Sequence, residues 1–129
     1  MNGRKLAWSF VFAFRGLVWT LHTQQNMRIH GVATFVAVGL LAWLRPPLWQ
    51  TAWIVLSIFL VLAGEALNSA LEAAVDRIGK EQHPLSGAAK DAAAGAVLLL
   101  ALQALIAGMV VFGPPLWKVF EPLWFGLGL

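Results

Sequence analysis

The chain has 129 residues, of which 60% are hydrophobic and 12% charged, and its formal net charge is +3. A soluble domain carries about a quarter of its residues as charged ones, so this composition is typical of an integral membrane protein, here a single domain. The chain has no cysteine, which excludes a disulfide, a thiolate nucleophile and a cysteine-bound metal. We attribute the basic excess to membrane orientation rather than to nucleic-acid binding.

Residues 1–25 are predicted to form a surface helix and a short polar segment. Apolar residues recur there at spacings of three and four, which places them on one helix face: Leu6, Phe10, Ala13, Phe14, Leu17 and Leu21. A charge at Arg15 would be costly at bilayer depth, so we expect an amphipathic helix that lies in the membrane interface. The alternative is a first spanning helix whose Arg15 reaches back to the head groups. Arg15 also interrupts the apolar run that a secretory signal peptide would need.

Three membrane-spanning helices are predicted, over residues 26–45, 48–79 and 88–112. The polar segment 22–30 is either a loop or the start of the first span. The apolar stretch 31–44 is shorter than the roughly 20 residues that a span needs, so the helix must begin before Gly31. Arg45-Pro46-Pro47 ends this first span, because proline does not continue a helix. The second span extends beyond the membrane, since nothing breaks it until Gly79.

A cytosolic turn over residues 80–87 connects the second and third spans. Ser86 in this turn is the expected N-cap of the following helix. Gly113-Pro114-Pro115 is predicted to end the third span, and residues 113–129 to form an interfacial tail.

The basic residues predict the orientation of the spans. Most of them fall on one side of the predicted membrane: Arg4, Lys5, Arg15, Arg28, Arg77, Lys80 and Lys90. Arg45 and Lys118 fall on the other side. The positive-inside rule places the first group, and with it the charged stretch 65–91, in the cytoplasm.

Four polar residues of the second span are predicted to share one helix face: Glu65, Asn68, Glu72 and Asp76. Glu65 and Glu72 lie roughly 10 Å apart along the axis, a gap that a metal–phosphate group could occupy. Like charges on one face repel unless a cation meets them, and hard oxygen ligands suit Mg²⁺. The deepest of these residues, Glu65 and Asn68, are functional candidates because intramembrane polar groups are costly.

Simpler interpretations remain for the outer part of the charged stretch. Asp76 and Glu81 could belong to a solvated helix end, His83 could be an ordinary turn residue, and Lys90-Asp91 a routine ion pair. The chain has no GxxxxGK[ST], GxGxxG, HExxH or GxSxG motif. The residues alone therefore indicate a carboxylate-rich, metal-dependent site at the cytosolic membrane edge.

The chain resembles the small bacterial diacylglycerol kinase family, which includes the undecaprenol kinases, in three segments: EALNSALEAAVDRIG (65–79), HPLSGAAKD (83–91) and NMRIH (26–30). The resemblance covers nearly the whole chain. It implies a homotrimer of three-helix subunits in the bacterial inner membrane, with active sites shared between neighbouring subunits and facing the cytoplasm. It also implies transfer of the ATP γ-phosphoryl group, with Mg²⁺, to a lipid hydroxyl.

The resemblance leaves the lipid open. We expect diacylglycerol, converted to phosphatidic acid, as the first candidate, and undecaprenol as the alternative, because the NMRIH segment looks more like the undecaprenol kinase branch. A non-enzymatic membrane oligomer, such as an ion-conducting or scaffold protein, is a further alternative. Against conduction, the spans carry few polar residues at depth, namely Thr34, Ser57 and Gln103.

The resemblance also implies residue roles. Glu65 corresponds to the general base, Glu72 to a metal ligand, and Asn68 and Asp76 to supporting residues near the lipid and the reacting groups. The implied nucleotide-binding residues are Lys5, Gln24, Glu72, Glu81, Gln82, His83, Lys90 and Asp91. Gln24 stands where the family usually has a second metal-binding glutamate, so it would offer Mg²⁺ a neutral oxygen. We expect the Gln24 segment to come from a neighbouring subunit.

Overall fold

The computed structural model describes residues 3–78 and 83–126, and nearly all of them are helical. It has four helices: α1 (Gly3–Thr23), α2 (Gln25–Leu44), α3 (Leu48–Ile78) and α4 (Pro84–Gly126). Within the described residues, three helices are long and apolar enough to cross a membrane: Gln25–Leu44, Leu48–Ile78 and Pro84–Pro122. The predicted all-α fold with three helices able to span a membrane is therefore confirmed. The trimer and the interfacial position of α1 stay predictions.

A single residue separates α1 from α2. Gln24 has an extended backbone (φ −105°, ψ 124°), and its N–H donates to the Thr20 carbonyl at 2.8 Å. The polar segment 22–30 is thus the end of one helix and the start of the next, not a loop. This tight junction buries Thr20 and Met27, and α1 contacts both α2 and α3.

The junction between α2 and α3 lies at the predicted position. Arg45 adopts a left-handed conformation (φ 47°, ψ 56°), and its N–H donates to the Leu41 carbonyl at 3.0 Å. A left-handed residue of this kind is a common way to end a helix, because it satisfies one of the carbonyls left free in the last turn. Pro46 and Pro47 follow, and α3 begins at Leu48.

The structure corrects the predicted start of the helix that contains the third span. Helix α4 begins at Pro84, within the segment predicted as a turn, and its N-cap is His83 rather than Ser86. The His83 carbonyl accepts the Ser86 N–H at 2.9 Å, and His83 Nδ1 accepts the Leu85 N–H at 3.2 Å. Proline suits the first helical position, because its fixed φ matches a helix and its missing N–H has no partner there anyway.

Gly113-Pro114-Pro115, predicted to end the third span, do not end the helix, because α4 continues to Gly126. The two prolines remove N–H donors, but their carbonyls still accept, and packing compensates for the loss. Val111 and Phe112, just before the prolines, are buried in a cluster with Ile54 of α3. Prolines are tolerated in membrane helices when neighbouring helices support the helix in this way.

Helices α3 and α4 form the most extensive contact of the bundle, and the Leu100 side chain of α4 packs over Gly64 of α3. A Cβ atom at Gly64 would lie 2.5 Å from Leu100 Cδ1, so a larger residue would displace that side chain. Small residues allow this kind of close helix approach in membranes. Two turns back along α3, Gln103 Nε2 donates to Ser57 Oγ at 3.0 Å across the same interface. Glu65 follows Gly64 directly, so this contact fixes its position.

Candidate active site

The four polar residues of α3 become progressively more exposed along the helix. Glu65 is 1% exposed and Asn68 is also buried, while Glu72 is half-buried and the Asp76 side chain is 67% exposed. The stripe therefore runs from the interior of the bundle to its surface. A small reactant bound along the stripe could contact the bundle interior at the Glu65 end and solvent at the Asp76 end.

The Glu72 carboxylate is held by two amides. Gln24 Nε2 donates to Glu72 Oε2 at 3.5 Å, and Asn68 Nδ2 donates to Glu72 Oε1 at 3.3 Å. The hydrogen bond from Gln24 is long and therefore weak. The Gln24 and Glu72 side chains could therefore move closer together or take other partners easily. Gln24 and Glu72, predicted to share a metal, thus meet within one chain. The expectation that a neighbouring subunit must supply Gln24 is not needed, because the one-residue junction at Gln24 places it against α3.

Two buried oxygens beside the amide-held Glu72 carboxylate lack hydrogen-bond partners. Glu65 Oε2 and Asn68 Oδ1 are inaccessible to solvent and accept no hydrogen bond from the described residues. Unsatisfied buried acceptors are costly, so each would be stabilised by a donor or a cation. Both lie on the same face of α3, less than one turn apart. This face is therefore suited to binding a hydroxyl group or a divalent cation.

The donor set fits a magnesium ion shared with phosphate groups better than a metal held by the protein alone. Within residues 3–78 and 83–126, no group of three or more His, Asp or Glu residues could hold a metal. Glu72, Asn68 and Gln24 nevertheless offer oxygens, and both amides could rotate to present them. Mg²⁺ prefers such hard oxygens, keeps several waters and binds substrate phosphates.

A lysine of α4 approaches the exposed end of the stripe. Lys90 Nζ lies 2.9 Å from Asp76 Oδ1, which connects the first turns of α4 to the last turns of α3. Asp91 is exposed beside it. Because Lys90 carries three donors and Asp76 uses one, the ammonium group keeps capacity for a phosphate.

The structure shows no hydrogen bond or ion pair between the polar stripe of α3 and the other predicted nucleotide-binding residues that it describes. His83 is exposed, and its Nδ1 accepts the Leu85 N–H at the start of α4. Lys5 is exposed on the first turn of α1, and no ion pair joins it to the described acidic residues. Glu81 and Gln82 lie outside the described residues.

Sequence reasoning gave no role to His30, which the structure places at the site. His30 is half-buried and lines a cavity of about 650 Å³ between α2, α3 and α4. The cavity is otherwise almost entirely apolar. His30 lies near Glu65 across the interface between α2 and α3. A histidine a few residues into a predicted span was the available signal, because ionisable groups at such depth are functional candidates.

The fold and the site define a helical membrane protein. It has a buried carboxylate, an amide-held carboxylate and a lysine along α3 and the start of α4, and an apolar cavity between α2, α3 and α4. Comparison with known proteins identifies the family: the model of prokaryotic diacylglycerol kinase matches residues 11–112. The chain belongs to this family and is an enzyme of the lipid kinase class.

Three relatives illustrate the similarity. A diacylglycerol kinase of Synechocystis is 42% identical over 125 residues, covering 88% of this chain and 70% of the relative. The diacylglycerol kinase of Escherichia coli K12 is 38% identical over 109 residues, covering 84% and 86%. The undecaprenol kinase of Bacillus subtilis is 40% identical over 114 residues, covering 84% and 88%. Relatives with two different lipid substrates are thus about equally similar to the chain.

Proposed function

We propose that the chain transfers the γ-phosphoryl group of ATP to the hydroxyl of diacylglycerol, forming phosphatidic acid and ADP. The observation that carries this proposal is the unpaired, buried Glu65 oxygen beside the amide-held Glu72. A lipid alcohol that reaches Glu65 from the bilayer would donate its hydroxyl to that oxygen. The deeper part of α3 is apolar, which suits the lipid chains.

The reaction breaks two bonds and forms two. Glu65 accepts the proton as the lipid oxygen attacks the γ-phosphorus, and the bond between that phosphorus and the β–γ bridging oxygen breaks to release ADP. Lys90 contributes positive charge to the phosphates from the start of α4. Glu72, with oxygens of Asn68 and Gln24, would hold Mg²⁺, which when bound neutralises phosphate charge.

Several features of the working enzyme belong to the same proposal. The enzyme is a homotrimer of the bacterial inner membrane, and its active sites face the cytoplasm, where ATP is available. Helix α1 lies in the membrane interface, and Lys5, Glu81, Gln82, His83 and Asp91 contribute to nucleotide binding. The excess of basic residues near the site end of the helices supports this orientation.

Undecaprenol is the second candidate substrate, and the similarity to the Bacillus subtilis undecaprenol kinase supports it. A long prenyl chain would place its hydroxyl at Glu65 in the same way. Family membership removes the support for a non-enzymatic oligomer.

One assay tests both candidates. The full-length protein is reconstituted in bilayer discs and given labelled ATP, Mg²⁺ and equal surface concentrations of diacylglycerol or undecaprenol. We expect label in phosphatidic acid at a higher kcat/KM than in undecaprenyl phosphate. The reverse ranking would assign the undecaprenol substrate, and no transfer to either lipid by assembled protein would refute the kinase function.

A further inference from the structure

The level of His30 in the bundle follows from the contact between Gln24 and Glu72. Helices α2 and α3 run in opposite directions, and Gln24, next to the first residue of α2, meets Glu72. His30 lies six residues further along α2, about 9 Å, and Glu65 seven residues back along α3, about 10 Å. The two residues therefore lie at the same depth, in agreement with the proximity of His30 to Glu65.

His30 lines the cavity, and its ring has no hydrogen-bond partner among the described residues. The hydrogen bond of His30 uses its backbone carbonyl, which accepts Thr34 Oγ1 at 2.8 Å. An imidazole always carries at least one N–H donor. Other cavity-lining hydroxyls, Thr34 and Ser57, donate to their own helices at 2.8 Å. The ring is thus the polar group of the lining that is free to bind a ligand at the level of Glu65.

The group on α3 that complements the His30 donor is Glu65 Oε2, an acceptor that receives no hydrogen bond from the described residues. A hydroxyl between the two residues would donate its proton to Glu65 and accept a hydrogen bond from His30, because an alcohol has one donor and two lone pairs. The second lone pair would stay free to attack phosphorus. A single hydroxyl therefore satisfies both unpaired groups at once.

We propose that His30 binds the hydroxyl oxygen of the lipid alcohol by donating a hydrogen bond, and so fixes that oxygen beside Glu65. This role rests on the proposed lipid kinase function. It assigns a substrate-binding residue to α2, opposite the carboxylate stripe of α3. Correct placement of reacting atoms is a large part of the catalysis of such transfers, and a misplacement of about 1 Å can cost about 100-fold.

The test compares three variants in bilayer discs: His30→Leu, which removes the donor, His30→Gln, which keeps a neutral N–H donor, and Thr34→Val as a matched control. Thr34 lines the same cavity one turn deeper, and its hydroxyl is already bonded within α2. We expect His30→Leu to lower kcat/KM for the lipid about 10- to 100-fold with the KM for ATP unchanged. His30→Gln should recover most of the loss, and Thr34→Val should stay within about twofold of the wild type.

Three outcomes would overturn the assignment: a His30→Leu variant within about twofold of the wild type, a His30→Gln variant as impaired as His30→Leu, or a parallel rise in the KM for ATP. In each of these cases the wild type is still active, so the proposed kinase function stands. A wild type that is inactive on every lipid alcohol would instead refute both the kinase function and the role of His30. If His30→Leu does not assemble, ¹⁵N-histidine spectra of the wild type decide. Lipid alcohol added without ATP should shift the His30 ring resonances, and unshifted resonances would overturn the proposal.

Discussion

Replacing Gln24 by glutamate would convert the amide–carboxylate contact between Gln24 and Glu72 into a pair of carboxylates. Gln24 Nε2 lies 3.5 Å from Glu72 Oε2. Two unit negative charges at that separation repel by about 5 kcal/mol at an effective dielectric constant of about 20. A divalent cation between them would turn this repulsion into attraction. We therefore expect Gln24→Glu to destabilise the metal-free protein and to strengthen its binding of divalent cations.

Two measurements without nucleotide check this prediction. Titration with Mn²⁺, followed by electron paramagnetic resonance, should give a Kd at least about tenfold lower for Gln24→Glu than for the wild type, equivalent to about 1.4 kcal/mol. Thermal unfolding should show a lower midpoint in EDTA and a larger increase on addition of Mg²⁺. Gln25→Glu is the matched control, because Gln25 is exposed next to Gln24 and adds the same charge without facing Glu72.

A cation site shared by Gln24 and Glu72 would be refuted if Gln24→Glu left the Mn²⁺ affinity unchanged, or if Gln25→Glu increased it equally. The first result would mean that Gln24 and Glu72 do not share a cation. The second would mean that the added charge acts through the general field around the site, not through the contact at 3.5 Å. Neither result depends on the identity of the lipid substrate.

Three further predictions concern single contacts. Glu65→Gln should lower kcat about 100- to 10,000-fold with little change in the KM for ATP, as expected for loss of a general base, and steady-state rates would disprove this if kcat stayed within a few-fold. Lys90→Met should raise the KM for ATP and leave the unfolding midpoint nearly unchanged, because its pair with Asp76 is exposed; an unchanged KM would argue against a phosphate contact. Ser57→Ala should destabilise the bundle by about 0.6 to 1.7 kcal/mol by removing the acceptor of Gln103. Adding Gln103→Leu should restore stability, and a further loss in the double variant, measured by steric trapping in bilayers, would contradict this.

The number of spans and the helix face that carries the site follow from local properties of the sequence. Hydropathy over some 20 residues predicts a span, and the spacing of Glu65, Asn68 and Glu72 predicts a shared face, because both depend on the geometry of one helix. Gln24 was also identified as a departure at a position implied by the family motif. None of these inferences required knowledge of how the helices pack.

The helix ends were less predictable where packing or capping competes with residue preference. Pro46 and Pro47 end a helix, whereas Pro114 and Pro115 lie within one. The difference is that α4 is packed against α3 through Val111 and its neighbours just before its prolines, while Arg45 provides a left-handed stop before the others. The same dipeptide thus has opposite outcomes in two tertiary settings.

The sequence by itself determined the class of protein, the three spans and the polar stripe of α3, because these depend on composition and on the period of a single helix. Only the tertiary structure decided which residues meet the stripe. It placed Gln24 against Glu72, His30 at the level of Glu65, and Lys90 against Asp76. Such contacts join residues of different helices, and they depend on the junctions and relative register of the helices, which hydropathy and spacing do not encode.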